Sequence, residues 1–189
     1  MPEECGPPYT VKPVNIGIGD RFKRSFLKIA PNNRMPAIVD PIGPGGEPIS
    51  IFESGAIVQY PGRKTGKVYP AREHSRIEGD QWLFWQMAGL GPMTGQAHHF
   101  RQYVREKIPY AIKRCTDEVN RLYGVMNKRL KDREYLAGCY SIGDMACRGW
   151  IVPCKNQGRQ LDDFPFLKDR FARVGARPAV KRGFSLGRE

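Results

Sequence analysis

Apolar positions change rhythm near residue 70. Upstream, short apolar runs are broken by proline and glycine. Tyr9–Val14 alternates enough to predict a strand, and Ala37–Val39 and Ile49–Phe52 predict two more, joined by the turn-rich PIGPGGEP loop. Between the first two lies a helical stretch, Phe22–Ile29, that stops before Pro31. Glu53–Tyr60 reads as a helix that Pro61-Gly62 should end or kink. Downstream, helical spacing takes over. Ser75–Ala88 carries Ile77, Trp82, Phe84, Trp85 and Met87. In Ile108–Leu130, residues Ile112, Cys115, Val119, Leu122, Met126 and Leu130 form one apolar stripe over about six turns. A further helix should begin at Ser141 and be interrupted at Arg148-Gly149. Two shorter ones are expected at Phe166–Val174 and Ala179–Leu186. The pattern predicts a small α/β unit, residues 1–67, and an all-helical unit, residues 73–189, with the boundary near Val68–Arg72.

Composition narrows the function classes. With 40% apolar residues in 189, the chain can bury a real core. No apolar stretch is long enough to span a bilayer, and MPEECGPPYT lacks the basic and apolar regions of a secretory leader. Five cysteines without a CxxC pair favour reduced thiols in the cytoplasm over a disulfide framework or a zinc site. A net charge of +12 is the one argument for a polyanionic partner such as nucleic acid. The charge is spread along the chain, with a modest concentration after Phe164 (Lys168, Arg170, Arg173, Arg177, Lys181, Arg182 and Arg188 against Asp169 and Glu189), and a solvated helix face accounts for it equally well.

Three short segments carry the local chemistry. In Asn32-Asn33-Arg34-Met35-Pro36, a proline directly before a strand either takes an ordinary trans turn or holds a cis bond; the cis form would turn the Met35 backbone groups outward, toward an extended peptide. At Glu53-Ser54 a strand gives way to a helix, so free N–H groups and the positive end of the helix dipole converge. That terminus, the Ser54 hydroxyl and the Glu53 carboxylate suit the carboxylate and ammonium of a free amino-acid head; plain N-capping explains the same pair. In Tyr140-Ser141-Ile142-Gly143-Asp144-Met145, Ser141 and Asp144 form a capping box, with Tyr140 and Met145 spaced for a hydrophobic staple. This is a folding signal without chemistry.

FLKIAPNNRMPAIVD followed by GGEPISIFESGAIVQY resembles the glutathione-binding half of a glutathione transferase. QWLFWQMAGLGPMTGQAHHF, IPYAIKRCTDEVNRLYGVMNKRL and YSIGDMAC resemble the helical half of the bacterial nu-class, which includes glutathione-dependent disulfide-bond oxidoreductases. The resemblance runs from Glu3 onward and implies a thioredoxin-like first half, an all-α second half and a homodimer. It implies that Met35 and Pro36 pair with the cysteinyl backbone of glutathione. Glu53 and Ser54 would hold the γ-glutamyl head, and Asn33 and Arg34 would line the glycyl end. Gln96, His98, His99, Phe100, Tyr110 and Arg114 would face the active site, although His98-His99 also suits a surface loop and Arg114 a solvated charge. The family's first strand, a Thr-Pro-Asn turn that contacts the glutathione sulfur, and most of its first helix have no counterpart in this sequence, which opens MPEECGPPY. No catalytic residue is therefore assigned.

The leading expectation is a glutathione-binding, transferase-like protein working by thiol–disulfide exchange or glutathione transfer, with glutathione as co-substrate and no metal. A non-catalytic docking or regulatory module is the alternative. A nucleic-acid binder ranks third, since no recognition motif accompanies the charge.

Overall fold

The computed structural model describes residues 1–186; Arg188 and Glu189 of the basic tail lie outside them. A short helix α1 (Pro2–Cys5) opens the chain, followed by coil, a 3-10 turn (Asp20–Phe22) and α2 (Arg24–Leu27). Strands β1 (Ala37–Asp40) and β2 (Ile49–Phe52) pair antiparallel, Ala37 opposite Phe52 and Asp40 opposite Ile49. The chain turns between them through Gly45 and Gly46, both at positive φ, where a side chain would clash with its own backbone. Helix α3 (Ser54–Thr65) packs back on this sheet. Then come α4 (Glu73–Trp85), α5 (Gly91–Gln102), α6 (Pro109–Arg129), α7 (Ile142–Ile151), α8 (Pro165–Ala176) and α9 (Pro178–Ser185). The architecture is a small α/β part followed by a helical one, as expected.

Helix α6 is the axis of the helical core. Its stripe of Cys115, Val119, Leu122, Met126 and Leu130 is buried against Leu90, Ala97, Ile151, Phe164 and Leu167. A second, smaller core of Tyr69, Leu83 and Ile142, with Val58 and Met87 against it, joins the two parts. Asp80 ties them further, accepting from Gln59 Nε2 at 2.7 Å and from the Tyr69 hydroxyl at 2.9 Å.

Four expectations need correction. Tyr9–Val14 is not a strand: among the described residues nothing lies beside it to take its backbone hydrogen bonds, and a strand exists only in pairs. Phe22–Ile29 is broken, because Lys23 is extended between the 3-10 turn and α2. Pro61 does not end α3, which runs four residues further and stops at Gly66 in the left-handed conformation. Proline removes one bond there, at a cost of about 3 kcal/mol. Burial of Ile57 and Gly62 holds the helix together, Gly62 lying so close to Tyr69 that an added Cβ would come within 2.7 Å of the tyrosine Cβ. Nor does Gly149 interrupt α7, since an exposed helix glycine costs only about 1 kcal/mol and Cys147 and Ile151 are fully buried on either side.

Helix α5 was not anticipated, and its cause is a π turn. Gln86–Leu90 continues α4 without a break, and the Gly91 N–H bonds to the Gln86 carbonyl five residues back. This wider turn carries the chain past Pro92, which has no N–H to give to an α-helical ladder, so α4 and α5 form one rod from Glu73 to Gln102.

The ends of the described chain are strapped together. Glu4 makes a two-pronged ion pair with Arg177, at 2.8 and 2.9 Å, and Glu3 pairs with Arg182. Hydrogen bonds from Arg177 hold the Glu4 carboxyl below its ordinary range. A depressed carboxylate contributes stability above its unfolded pKa, roughly 4.3, and loses it as pH falls through the folded value. The thermal midpoint should therefore hold between pH 7 and 5 and drop below about pH 4. Glu4→Gln should start lower and lose less on acidification; parallel curves for the two proteins would refute the strap's contribution.

Candidate functional site

The strand-to-helix junction after β2 is where the sequence placed it. Glu53 sits between β2 and α3 at φ 67°, the left-handed region that a non-glycine residue adopts only under constraint. The first intrahelical bond runs from Ile57 N–H to the Glu53 carbonyl, so the N–H groups of Ser54, Gly55 and Ala56 have no backbone acceptor among the described residues. They point out of the positive end of a 12-residue helix. The Glu53 side chain is exposed and accepts from Asn32 Nδ2 at 3.3 Å.

Beside this junction lies the Asn32–Pro36 turn. The Met35-Pro36 bond is cis, Met35 is exposed, and its backbone N–H and C=O take no backbone partner among the described residues. Asn33 is at φ 46° and accepts from Arg34 Nη1 at 2.9 Å. The structure thus joins Asn32 to Glu53 and Asn33 to Arg34 by hydrogen bonds.

One contact was not legible in the sequence. The Ser54 hydroxyl donates to the Met87 sulfur at 3.7 Å, and a Cβ on Gly55 would lie 3.4 Å from the Met87 methyl. Met87 belongs to the π turn, so the helical part builds the floor beneath the start of α3.

Residues Gln96, His98, His99 and Phe100 all lie within α5, so the histidine pair is not in a loop. Gln96 and His99 are exposed; His98 stacks on Tyr103 with ring centroids 5.3 Å apart. Tyr110 and Arg114 are exposed on the first turns of α6. Among the described residues no hydrogen bond or ring contact joins Gln96, His99, Tyr110 or Arg114 to the Glu53-Ser54 turn.

The cysteines stand apart from this region. Cys5, Cys115, Cys147 and Cys154 are buried and Cys139 is exposed, all as free thiols. Burial pushes the Cys147 thiol up to about 12, far from the thiolate form that reacts. Alkylation of the native protein at pH 8 should therefore modify Cys139 first and leave Cys147 untouched until the chain unfolds. Early labelling of Cys147 in peptide mass spectra would contradict this packing. No group of three or more His, Cys, Asp or Glu side chains is arranged for a metal ion among the described residues.

The pattern of the family described as glutathione S-transferase, N-terminal domain, matches residues 3–62, which include both turns. The chain is 46% identical to the disulfide-bond oxidoreductase YfcG of Escherichia coli K12 over 180 residues, covering 94% of this chain and 84% of that one. Its fold is similar to that of a glutathione transferase from Pseudomonas putida with one glutathione disulfide bound per subunit (TM-score 0.93, 35% identity, 98% of this chain and 84% of that one). It is equally similar to one from Burkholderia graminis with two glutathione molecules bound per subunit (TM-score 0.93, 36% identity, 100% and 82%).

Proposed function

The chain belongs to the glutathione S-transferase family, and from that premise we propose that it binds glutathione or glutathione disulfide at the β2–α3 junction, for thiol–disulfide exchange or glutathione transfer. One observation carries the reading: three unpartnered N–H groups open α3 directly beside the Glu53 carboxylate. An α-amino acid head needs both, donors for its carboxylate and an acceptor for its ammonium. In this arrangement the Ser54 hydroxyl turns from Met87 to the carboxylate, and Glu53 takes the ammonium. The free backbone of Met35 pairs with the cysteinyl unit next to Pro36, and Asn33 with Arg34 lines the glycyl end. Gln96, His99, Tyr110 and Arg114 supply the wall toward the second substrate.

The nucleophile in such chemistry is the glutathione thiolate, so no cysteine of the chain need act. No residue among those described is assigned to the sulfur. The division at Val68–Arg72, a homodimer and residence in the cytoplasm belong to the same proposal. The five free thiols support the cytoplasm. Ile77 and Phe84, two turns apart on one face of α4 and 50% and 63% exposed, support the dimer.

Calorimetric titration with glutathione disulfide tests the site. Saturable binding should weaken about tenfold or more in Glu53→Ala, as expected when a charge-assisted contact is lost. Unchanged affinity in that variant would put the ligand elsewhere. A folded wild-type chain that does not bind would leave the docking module as the better account.

A further inference from the structure

Between α1 and α2 the chain holds apolar side chains that folding does not use. No residue from Gly6 to Ile29 is buried. Ile16 is 59% exposed, Ile18 at 72% is the most exposed aliphatic side chain in the described chain, and Phe22 is 55% exposed. The three stand close together. The Phe22 N–H donates to the Gly19 carbonyl at 2.9 Å, and a Cβ on Gly19 would lie 3.8 Å from the Phe22 ring. The tip is a closed turn. The N–H groups of Asn15, Gly17, Gly19 and Asp20 bond inside it, to the Asp20 carboxylate, the Asn15 amide oxygen, the Ile16 carbonyl and the Asn15 carbonyl. A turn whose donors are spent on itself can leave water without stranding them.

Cations flank this tip along the chain. From Tyr9 to Lys28 there are Lys12, Arg21, Lys23, Arg24 and Lys28 against Asp20 alone. Asp20 is already taken by Lys23 at 2.6 Å and by the Asn15 N–H. The Arg21 guanidinium lies over the Phe22 ring, 4.8 Å from its centroid. Lys12, Arg24 and Lys28 are exposed and make no ion pair among the described residues. Arg24 opens α2 and Lys28 caps it, so the two share a side one helical turn apart. No described helix is long and apolar enough to cross a membrane. An apolar tip with a cationic collar suits the membrane interface instead.

We propose that this face docks on an anionic lipid bilayer, with Ile16, Ile18 and Phe22 entering the headgroup boundary and Lys12, Arg24 and Lys28 meeting the lipid phosphates. Charge and apolar exposure together select that occupant. A polynucleotide would use the cations but gain little from two isoleucines, which give its bases no ring to stack on. A bilayer uses both. The apolar side chains lose contact with water, and each cation close to an anionic leaflet raises affinity about fivefold. The tip is short, so the contact is reversible and the chain divides between membrane and solution. Docking here needs no glutathione.

Co-sedimentation of the full chain with phosphatidylcholine vesicles containing about 30% phosphatidylglycerol tests this, with pure phosphatidylcholine as the reference. Binding to the anionic vesicles should be at least about tenfold stronger at about 0.1 M salt and should fall at about 0.5 M. Ile18→Asp should weaken it about tenfold, because a charge replaces an apolar group at the lipid boundary. Arg24→Glu combined with Lys28→Glu should weaken it about twentyfold or more, at about fivefold for each cation lost. All three positions are exposed, so the urea midpoints of the variants should match the parent's. No binding by the folded parent chain overturns the proposal, as do equal affinities for the two kinds of vesicle. Full affinity in Ile18→Asp would reduce the contact to charge alone and overturn it too. Tighter binding to a short DNA duplex, unmoved by Ile18→Asp, would give the face to nucleic acid and overturn it as well.

Discussion

Asp144→Ala should cost about 3–5 kcal/mol of unfolding free energy, the range seen when one partner of a buried ion pair is removed. Asp144 and Arg170 are both fully buried and 3.0 Å apart. The carboxylate also accepts from the Leu136 N–H, the Ser141 N–H and the Ser141 hydroxyl, each at 3.2 Å. It therefore fixes the start of α7, the loop before it and the side chain from α8 at once. Alanine would strand a guanidinium that already has one buried nitrogen, Nη1, without a partner. Capping alone is worth about 1 kcal/mol, so Ser141→Ala provides the scale. Urea unfolding of the two variants against the parent separates the effects. A loss in Asp144→Ala no larger than in Ser141→Ala would mean that the ion pair contributes nothing net. Arg170→Met, which leaves the anion buried, should be damaging as well.

Gly143→Val should be the second large loss, about 3 kcal/mol, with Gly143→Ala costing about 1 kcal/mol. Propensity argues the other way, since alanine is favoured over glycine by up to about 1 kcal/mol inside a helix. Contact decides the sign. A Cβ on Gly143 would lie 2.9 Å from the Trp82 Cβ and 3.4 Å from the Gly79 carbonyl oxygen, so α7 meets α4 at Gly143 with no room for a methyl group there. Neither obstacle is the flexible end of a side chain. Equal or raised urea midpoints for Gly143→Ala would show that the two helices can separate at little cost.

What the sequence disclosed follows from range. The α6 stripe and the capping box at Ser141 are local patterns, and both appear at the expected residues. Glu53-Ser54 was legible as a junction because a strand and a helix meet there within five residues. Tyr9–Val14 alternates yet pairs with no strand among the described residues, because alternation describes a strand's faces and says nothing of a neighbour. Gly89, Gly91, Pro92 and Gly95 are breaker residues, so α5 stayed hidden until the wider turn supplied the missing register. The Met87 floor under Ser54 depends on that same turn, and no local pattern could announce it.

In the language of insertions and deletions, the rod from Glu73 to Gln102 is a helix that carries one residue more than its α register needs. Each α-helical residue turns the chain by about 100°. Excising one residue at an α-helical position of the rod would therefore twist everything beyond by roughly a quarter turn. Within Gln86–Leu90 the same excision would close the wide turn into plain α-helix, with Gly91 and Gly95 still facing Trp150. What opposes it there is Pro92, brought into a ladder that demands its missing N–H. Homologous chains that differ by one residue in this rod should differ at this turn.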